Sequence, residues 1–223
     1  MERCVLQPYY EHAGITIYHG DCRDVLEEWE GLRTQSFDLL LTDPPYGIHW
    51  VPRVNHRDGP WKDTERILLA PWLAIARKAC VWGGNYYTAQ LSASESWLIW
   101  LKRPAGFDDD PRTYATLEMA WTNYGGKPKH LTHVWDGGKR QGESINRGFI
   151  HPAQKPVEVM RWAILQSGIP CGRIIDPFMG SGTTLEAAKR LGHQATGIER
   201  EERYCEIAAQ RLQQEALPLS LEA

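Results

Sequence analysis

Phe37-Asp38-Leu39-Leu40-Leu41-Thr42 is a nearly continuous apolar run that stops at Asp43-Pro44-Pro45. A strand apolar on both sides has to be covered on both faces, which is the condition of a parallel strand inside an α/β sheet. The prolines end it, because proline has no N–H to give to a ladder. Further strand signals lie at 15–18, which ends at Gly20-Asp21, at 79–82, which ends at Gly83-Gly84-Asn85, and at 96–102, 114–123, 173–176 and 193–198. Between them, residues 23–29, 65–78, 156–167, 183–191 and 201–215 carry helical spacing, with Pro156 in a first turn and Gly192 just past a helix end. The alternation predicts an α/β fold: a doubly wound, mostly parallel, seven-stranded sheet with helices on both faces and right-handed crossovers.

The 223 residues support one sizeable core, so residues 1–223 are expected to form a single domain. Residues 48–63 are polar and rich in Gly, Pro and His, and a loop of that length inside a domain points to function. Residues 125–150 show no sustained period, abound in glycine and basic residues and are too few for a core, so they are expected to be an inserted loop region. That insert is basic: Lys127, Lys129, Lys139, Arg140 and Arg147 face only Asp136 and Glu143. The net charge of −3 excludes a protein that coats nucleic acid by overall positive charge, but a local groove of these five cations could still meet phosphates.

No apolar stretch is long enough to span a membrane and the first ten residues lack a signal-peptide layout, so a cytoplasmic protein is expected. Cys4, Cys22, Cys80, Cys171 and Cys205 are scattered without a CxxC pair and read as reduced, mostly buried thiols. No metal is expected, since His130 and His133 have no further ligand cluster and read as solvated or phosphate-facing. Trp72, Trp97, Trp100 and Trp162 fall in apolar elements and read as core, whereas Trp50, Trp61 and Trp135 lie in loops that could meet a nucleic acid.

Ile174-Ile175-Asp176-Pro177-Phe178-Met179-Gly180-Ser181-Gly182-Thr183-Thr184 sets a strand, an acid and a Gly-x-Gly turn directly before a helix. In doubly wound sheets ligands bind at such strand ends. The third glycine of a dinucleotide fingerprint would fall at Leu185, and no Gly-Lys-Ser/Thr follows, which disfavours a nicotinamide cofactor and a bound phosphate alike. Glu199, at the end of the next strand, stands where such folds place an acid that accepts from ribose hydroxyls. An adenosine-bearing, phosphate-free ligand fits both features; a tight turn with no ligand fits the glycines alone.

Asp43-Pro44-Pro45-Tyr46-Gly47 follows a buried strand and therefore belongs to the same sheet edge. The amino group of adenine or cytosine is a poor nucleophile, because its lone pair is delocalised into the ring. Acceptors aimed at its N–H bonds draw that density back. Asp43 offers a carboxylate, Pro44 a carbonyl, and the prolines hold both at little further entropic cost. With an ordinary aspartate pKa of ~3.9, Asp43 reads as an acceptor more than as a strong base. Tyr46 offers a ring on which an extruded base could stack.

Together these segments resemble the amino-methyltransferases of nucleic acids, in particular the permuted group often called β, in which an Asp-Pro-Pro-Tyr turn precedes the cofactor loop. The resemblance spans nearly the whole chain. Gly20-Asp21 is similar to the segment that contacts the cofactor adenine, His151-Pro152-Ala153-Gln154-Lys155-Pro156 to the segment before the cofactor loop, and 176–182 to that loop. It implies S-adenosylmethionine as cofactor, with Asp21, Lys155, Asp176, Phe178, Gly180, Gly182, Thr183 and Glu199 lining its pocket. Asp43, Pro44, Pro45 and Tyr46 would line the base pocket. Members with Asp before Pro-Pro-Tyr more often modify adenine and those with Ser cytosine, which implies methylation of the adenine amino group in DNA. Cytosine N4 or RNA is the alternative substrate, and a non-catalytic nucleic-acid or cofactor-binding module the alternative class. The family's target-recognition region corresponds to 125–150, which is short for the family and compatible with a short target site or a homodimer.

Overall fold

The computed structural model describes residues 7–29, 36–49, 63–103, 115–136, 139–141 and 154–213. Its strands are β1 (Tyr10–His12), β2 (Ile15–His19), β3 (Phe37–Thr42), β4 (Ala76–Trp82), β5 (Trp97–Leu101), β6 (Leu117–Thr122), β7 (Lys129–Thr132), β8 (Trp135–Asp136), β9 (Lys139–Arg140), β10 (Arg173–Asp176) and β11 (Gln194–Glu199). The helices are α1 (Cys22–Glu28), α2 (Ala70–Ala74), α3 (Val157–Gln166), α4 (Thr183–Arg190) and α5 (Glu202–Gln213).

Nine strands form one sheet in the order β1-β2-β11-β10-β3-β4-β6-β5-β7. From β2 to β4 the neighbours are all parallel, whereas β6 runs antiparallel between β4 and β5. The apolar run of β3 is covered on both sides as its composition requires. Leu39 and Leu41 enter one core with residues of α3, α4 and α5, while Leu40 enters a second with Val25 of α1 and Trp72 of α2. The chain leaves β10 through α4 toward β11 and leaves β3 through α2 toward β4, in opposite directions across the sheet. Right-handed crossovers in opposite directions place the helices on opposite faces, so the C-terminal ends of β10 and β3 flank a crevice that neither helix covers.

The sheet exceeds the expected seven strands for two local reasons. Tyr10–His12 folds back onto β2 through an Ala13-Gly14 turn with both residues at positive φ, the two-residue turn that suits a hairpin's twist. Lys129–Thr132, within the expected loop insert, pairs with the edge of β5 through its backbone, which needs no apolar pattern. Strands β8 and β9 add a short hairpin to the same insert. The helix expected over 65–78 shrinks to five residues. Pro71 has no N–H and resists extension of the helix toward its N-terminal side, and from Ala76 onward the backbone pairs with β3, so sheet pairing overrides helical propensity.

Trp72 and Trp100 are buried as expected, and Trp97 and Trp162 pack partly buried against the cores. Trp50 and Trp61 lie outside the described residues. Cys22, Cys80 and Cys205 are buried free thiols and Cys171 is exposed; Cys4 lies outside the described residues. Among the described residues no helix is long and apolar enough to cross a membrane.

Gly197 of β11 lies beneath the turn that follows β10. A Cβ there would sit 2.5 Å from Met179 Sδ and 2.8 Å from Leu185 Cδ1. Gly197→Ala is expected to cost ~1–3 kcal/mol by overpacking. A urea-unfolding midpoint that does not move would show that the turn and α4 can retreat freely.

Candidate active site

The ends of β2, β11, β10, β3 and β4 all point to one rim, so the two turns singled out in the sequence sit side by side. Thr42 Oγ1, the last residue of β3, donates to Asp176 Oδ1, the last residue of β10, at 2.9 Å. Asp43 follows Thr42, and the glycine turn follows Asp176.

Asp43 is held from two sides. The Tyr46 hydroxyl donates to its Oδ1 at 2.6 Å, and the Lys155 ammonium donates to its Oδ2. The turn itself is clamped through its backbone. The buried Asp63 carboxylate accepts from Gly47 N at 2.7 Å and Ile48 N at 3.2 Å, Arg66 Nε donates to the Tyr46 carbonyl at 3.0 Å, and the Tyr87 hydroxyl donates to the Pro45 carbonyl. No described residue donates to the Pro44 carbonyl, the second acceptor of the turn. The Tyr46 ring stacks on Tyr86 at a centroid distance of 4.9 Å. A Cβ at Gly83, whose φ is +66°, would fall 2.0 Å from the Tyr46 ring, so both the conformation and the approach demand glycine.

Lys155 is also 3.0 Å from Glu118 Oε2 on β6, and Lys102, just past β5, pairs with the other Glu118 oxygen. The Lys155 ammonium lies 5.4 Å from the centroid of the Trp82 ring. Two carboxylates and two ammonium groups thus form a partly buried cluster of zero formal charge around the buried Lys155. Burial pushes the Asp43 carboxyl up from its ordinary value, against the pull of Lys155. Burial pushes Glu118 the same way, but Lys155 and Lys102 overcome it and hold that carboxyl at about 2. For Lys155, burial would lower the pKa, and the two carboxylates raise it instead.

The glycine turn is organised by two acids. Asp176 Oδ1 accepts from Phe178 N at 3.1 Å as well as from Thr42, and its Oδ2 accepts from Thr184 Oγ1 at 2.5 Å. Burial nevertheless raises this carboxyl to about 6. Glu199 Oε2 accepts from Gly180 N at 3.0 Å and Oε1 from Glu201 N at 2.8 Å, and burial raises its pKa too. Gly180 and Gly182 both have positive φ, and a Cβ at Gly182 would meet Ala208 at 2.7 Å. Thr183 opens α4 and is buried, and Phe178 is half-buried against the second core. Asp21 caps α1 at the end of β2, where hydrogen bonds from Arg23 hold its carboxyl at about 2. The neighbouring Gly20 N donates to the Glu199 carbonyl at 3.0 Å, which brings Asp21 to the same end of the sheet.

The basic insert is less unified. Lys127 and Lys129 are exposed, and Lys129 Nζ donates to Gln166, the last residue of α3, at 2.8 Å. Because α3 leads into the start of β10, that contact lies toward the end of the sheet opposite the rim. Lys139 and Arg140 form β9, and Arg147 lies outside the described residues. His130 is exposed as expected, but His133 is not solvated: it is 5% exposed, stacks on Trp135, and burial lowers its pKa.

Residues 106–210 match the family model described as DNA methylase, of the N6/N4 type. A type II methyltransferase of Streptomyces caespitosus, M.ScaI, is 27% identical, across 98% of this chain and 88% of that protein. M2.LlaDCHI of Lactococcus lactis subsp. cremoris is 26% identical, across 92% of each. By these matches the chain is similar to the N6/N4 DNA amino-methyltransferases. Among solved structures, M1.HpyAVI in complex with SAM superposes with a TM-score of 0.60 at 22% identity, covering 88% of this chain and 99% of that one. The cytosine-N4-specific PvuII DNA methyltransferase gives 0.62 at 16% identity, covering 95% and 90%. Both share the fold.

At this site the sequence reading missed Glu118, Lys102, Asp63, Tyr86 and Tyr87. Glu118 alone left a signal, a charged residue inside the otherwise apolar run Leu117-Glu118-Met119-Ala120-Trp121, where an unpaired charge would not be tolerated.

Asp176 carries a linkage with a definite sign. Its folded-state value of about 6 lies above the unfolded ~3.9, so between those values the folded chain holds the extra proton and stability falls as pH rises. The stability of Asp176→Asn relative to the parent is expected to rise by about 2–3 kcal/mol between pH 4 and pH 7. Chemical unfolding at the two pH values checks this, and a difference that stays constant contradicts it.

Proposed function

We propose that this chain methylates the exocyclic amino group of adenine in DNA, with S-adenosylmethionine as the donor. The reading is carried by one observation: the Thr42 to Asp176 hydrogen bond, which sets the Asp43 acceptor turn directly beside the glycine turn.

The glycine turn fits an adenosine-bearing donor without phosphates. Each Glu199 oxygen accepts one backbone N–H and keeps a lone pair for a ribose hydroxyl, Phe178 supplies an aromatic wall, and the turn carries no lysine. Asp21, Asp176, Gly180, Gly182 and Thr183 complete the proposed pocket. S-adenosylmethionine, when bound, supplies a sulfonium methyl open to in-line attack. The chain's own part is to place the amino nitrogen in that line and to load its lone pair. Asp43 accepts one N–H and the Pro44 carbonyl the other, and Asp43 takes the proton released once nitrogen has become cationic. Tyr46, backed by Tyr86, presents the stacking surface for a base turned out of the duplex.

Asp before Pro-Pro-Tyr supports adenine over cytosine, while the likeness to a cytosine-N4-specific enzyme keeps cytosine as the second reading. Labelled methyl transfer to duplex DNA, single-stranded DNA and RNA, with mass identification of the product, separates them. N6-methyladenine in DNA is expected, and N4-methylcytosine or an RNA-only product would overturn the proposal. Asp43→Ala is expected to reduce transfer more than ~100-fold with donor affinity kept within a few-fold; strong residual turnover would remove Asp43 from its role.

The basic insert, with Lys139, Arg140 and Arg147 and with Lys127 and Lys129 farther from the rim, is proposed to meet phosphates. Neutralising Lys139 and Arg140 together is expected to lower the salt slope of DNA binding by about 2. An unaltered slope would take β9 out of the interface.

A further inference from the structure

Lys155 stands in the segment that the family resemblance assigns to the cofactor pocket, yet both of its ionic contacts lead elsewhere. Its side chain is 6% exposed, and its ammonium touches Asp43 Oδ2 and Glu118 Oε2 and lies over Trp82. Neither carboxylate belongs to the glycine turn. A buried ammonium cannot leave this position without stranding Asp43, since Glu118 keeps Lys102 but Asp43 has no other cation in contact among the described residues, so its place is set by the cluster.

We propose that Lys155 is a positioning residue for the acceptor: it holds the Asp43 carboxylate anionic and fixed at the rim, while Glu118 and Lys102 hold Lys155. The inference rests on the reading of Asp43 as the acceptor. Its physical basis is that desolvation strengthens an acceptor only while the carboxylate stays charged. At this site burial acts against the charge, and the ammonium is the one cation in direct contact with Asp43 among the described residues.

The groups that face Asp43 give the two carboxylate-side charges opposite effects. Lys155 favours the anion, and so does the Tyr46 hydroxyl by donating to it. Glu118 disfavours it across the shared ammonium, and Lys102 offsets Glu118 from behind. Asp176 at the end of β10, the buried Cys80 thiol of β4 and the Tyr87 phenol are the remaining titratable neighbours. Replacing Lys155 and replacing Glu118 should therefore move the acid limb of the reaction in opposite directions.

The test is the pH dependence of single-turnover methyl transfer at saturating donor and DNA, from pH 5 to 9. Lys155→Met is expected to shift the acid limb up by at least about one pH unit, with transfer lost on the acid side and recovering toward pH 9. Lys155→Arg is expected to keep the parent limb. Glu118→Gln is expected to shift it down, since the competing anion is gone. Donor affinity by calorimetry is expected to stay within about threefold in all three, and it also reports that each variant is folded. A Lys155→Met limb that does not move, or a donor affinity weakened about tenfold with an unshifted limb, overturns the proposal and returns Lys155 to the cofactor pocket. Should Lys155→Met fail to fold, Glu118→Gln decides, because an acid limb that stays or rises is incompatible with the arrangement. The two readings fail separately. Full activity of Asp43→Ala removes the acceptor itself, whereas an inactive Asp43→Ala beside an unshifted Lys155→Met removes only the role of Lys155.

Discussion

One buried carboxylate joins the parts of this molecule that have to meet. Asp176 accepts from Thr42 at the end of β3, from Phe178 in the glycine turn and from Thr184 in the first turn of α4. The first bond fixes the spacing of two strand ends, and the others fix the turn that leaves one of them. Three donors favour the charged form, and burial still wins, raising the group to about 6. The site is thus held by a group that itself costs stability at neutral pH, which is a common condition of functional centres.

A second buried group of charges lies one residue away, with a different logic. Asp43, Lys155, Glu118 and Lys102 come from the β3 turn, the segment before α3, β6 and the end of β5, so four separate pieces of chain must be in place before the charges cancel. Cancellation offsets part of the cost of placing a carboxylate at a partly buried rim. It also explains why an acidic residue is tolerated near the start of β6, a strand whose last three residues are buried.

The periodic elements were legible because their signal is local. The apolar run of β3, the Gly-x-Gly turn and the helical spacing of α3, α4 and α5 all follow from one stretch of chain. The two acidic turns were legible as a pair because strand ends in a parallel sheet share an edge. What stayed hidden depends on backbone pairing or on distant partners. β7 pairs through main-chain groups and needs no apolar alternation, and Ala76 enters a strand because Phe37 stands beside it, against its helical surroundings. His133 carries no sequence mark of burial, which comes from its neighbour Trp135 and the strands beneath. The Asp63 clamp joins positions 16 and 15 apart in the chain, and the sequence between them has no periodic pattern that would announce the contact.

The topology shows why the order of the two motifs in the chain matters little to the chemistry. Thr42 and Asp176 are 134 positions apart, yet they are neighbours because β3 and β10 lie at the point where crossovers diverge. At that point the sheet needs only two adjacent parallel strands, one ending in an acceptor turn and one in a glycine turn. Which comes first along the chain changes the connections, whereas the crevice between the strand ends stays the same.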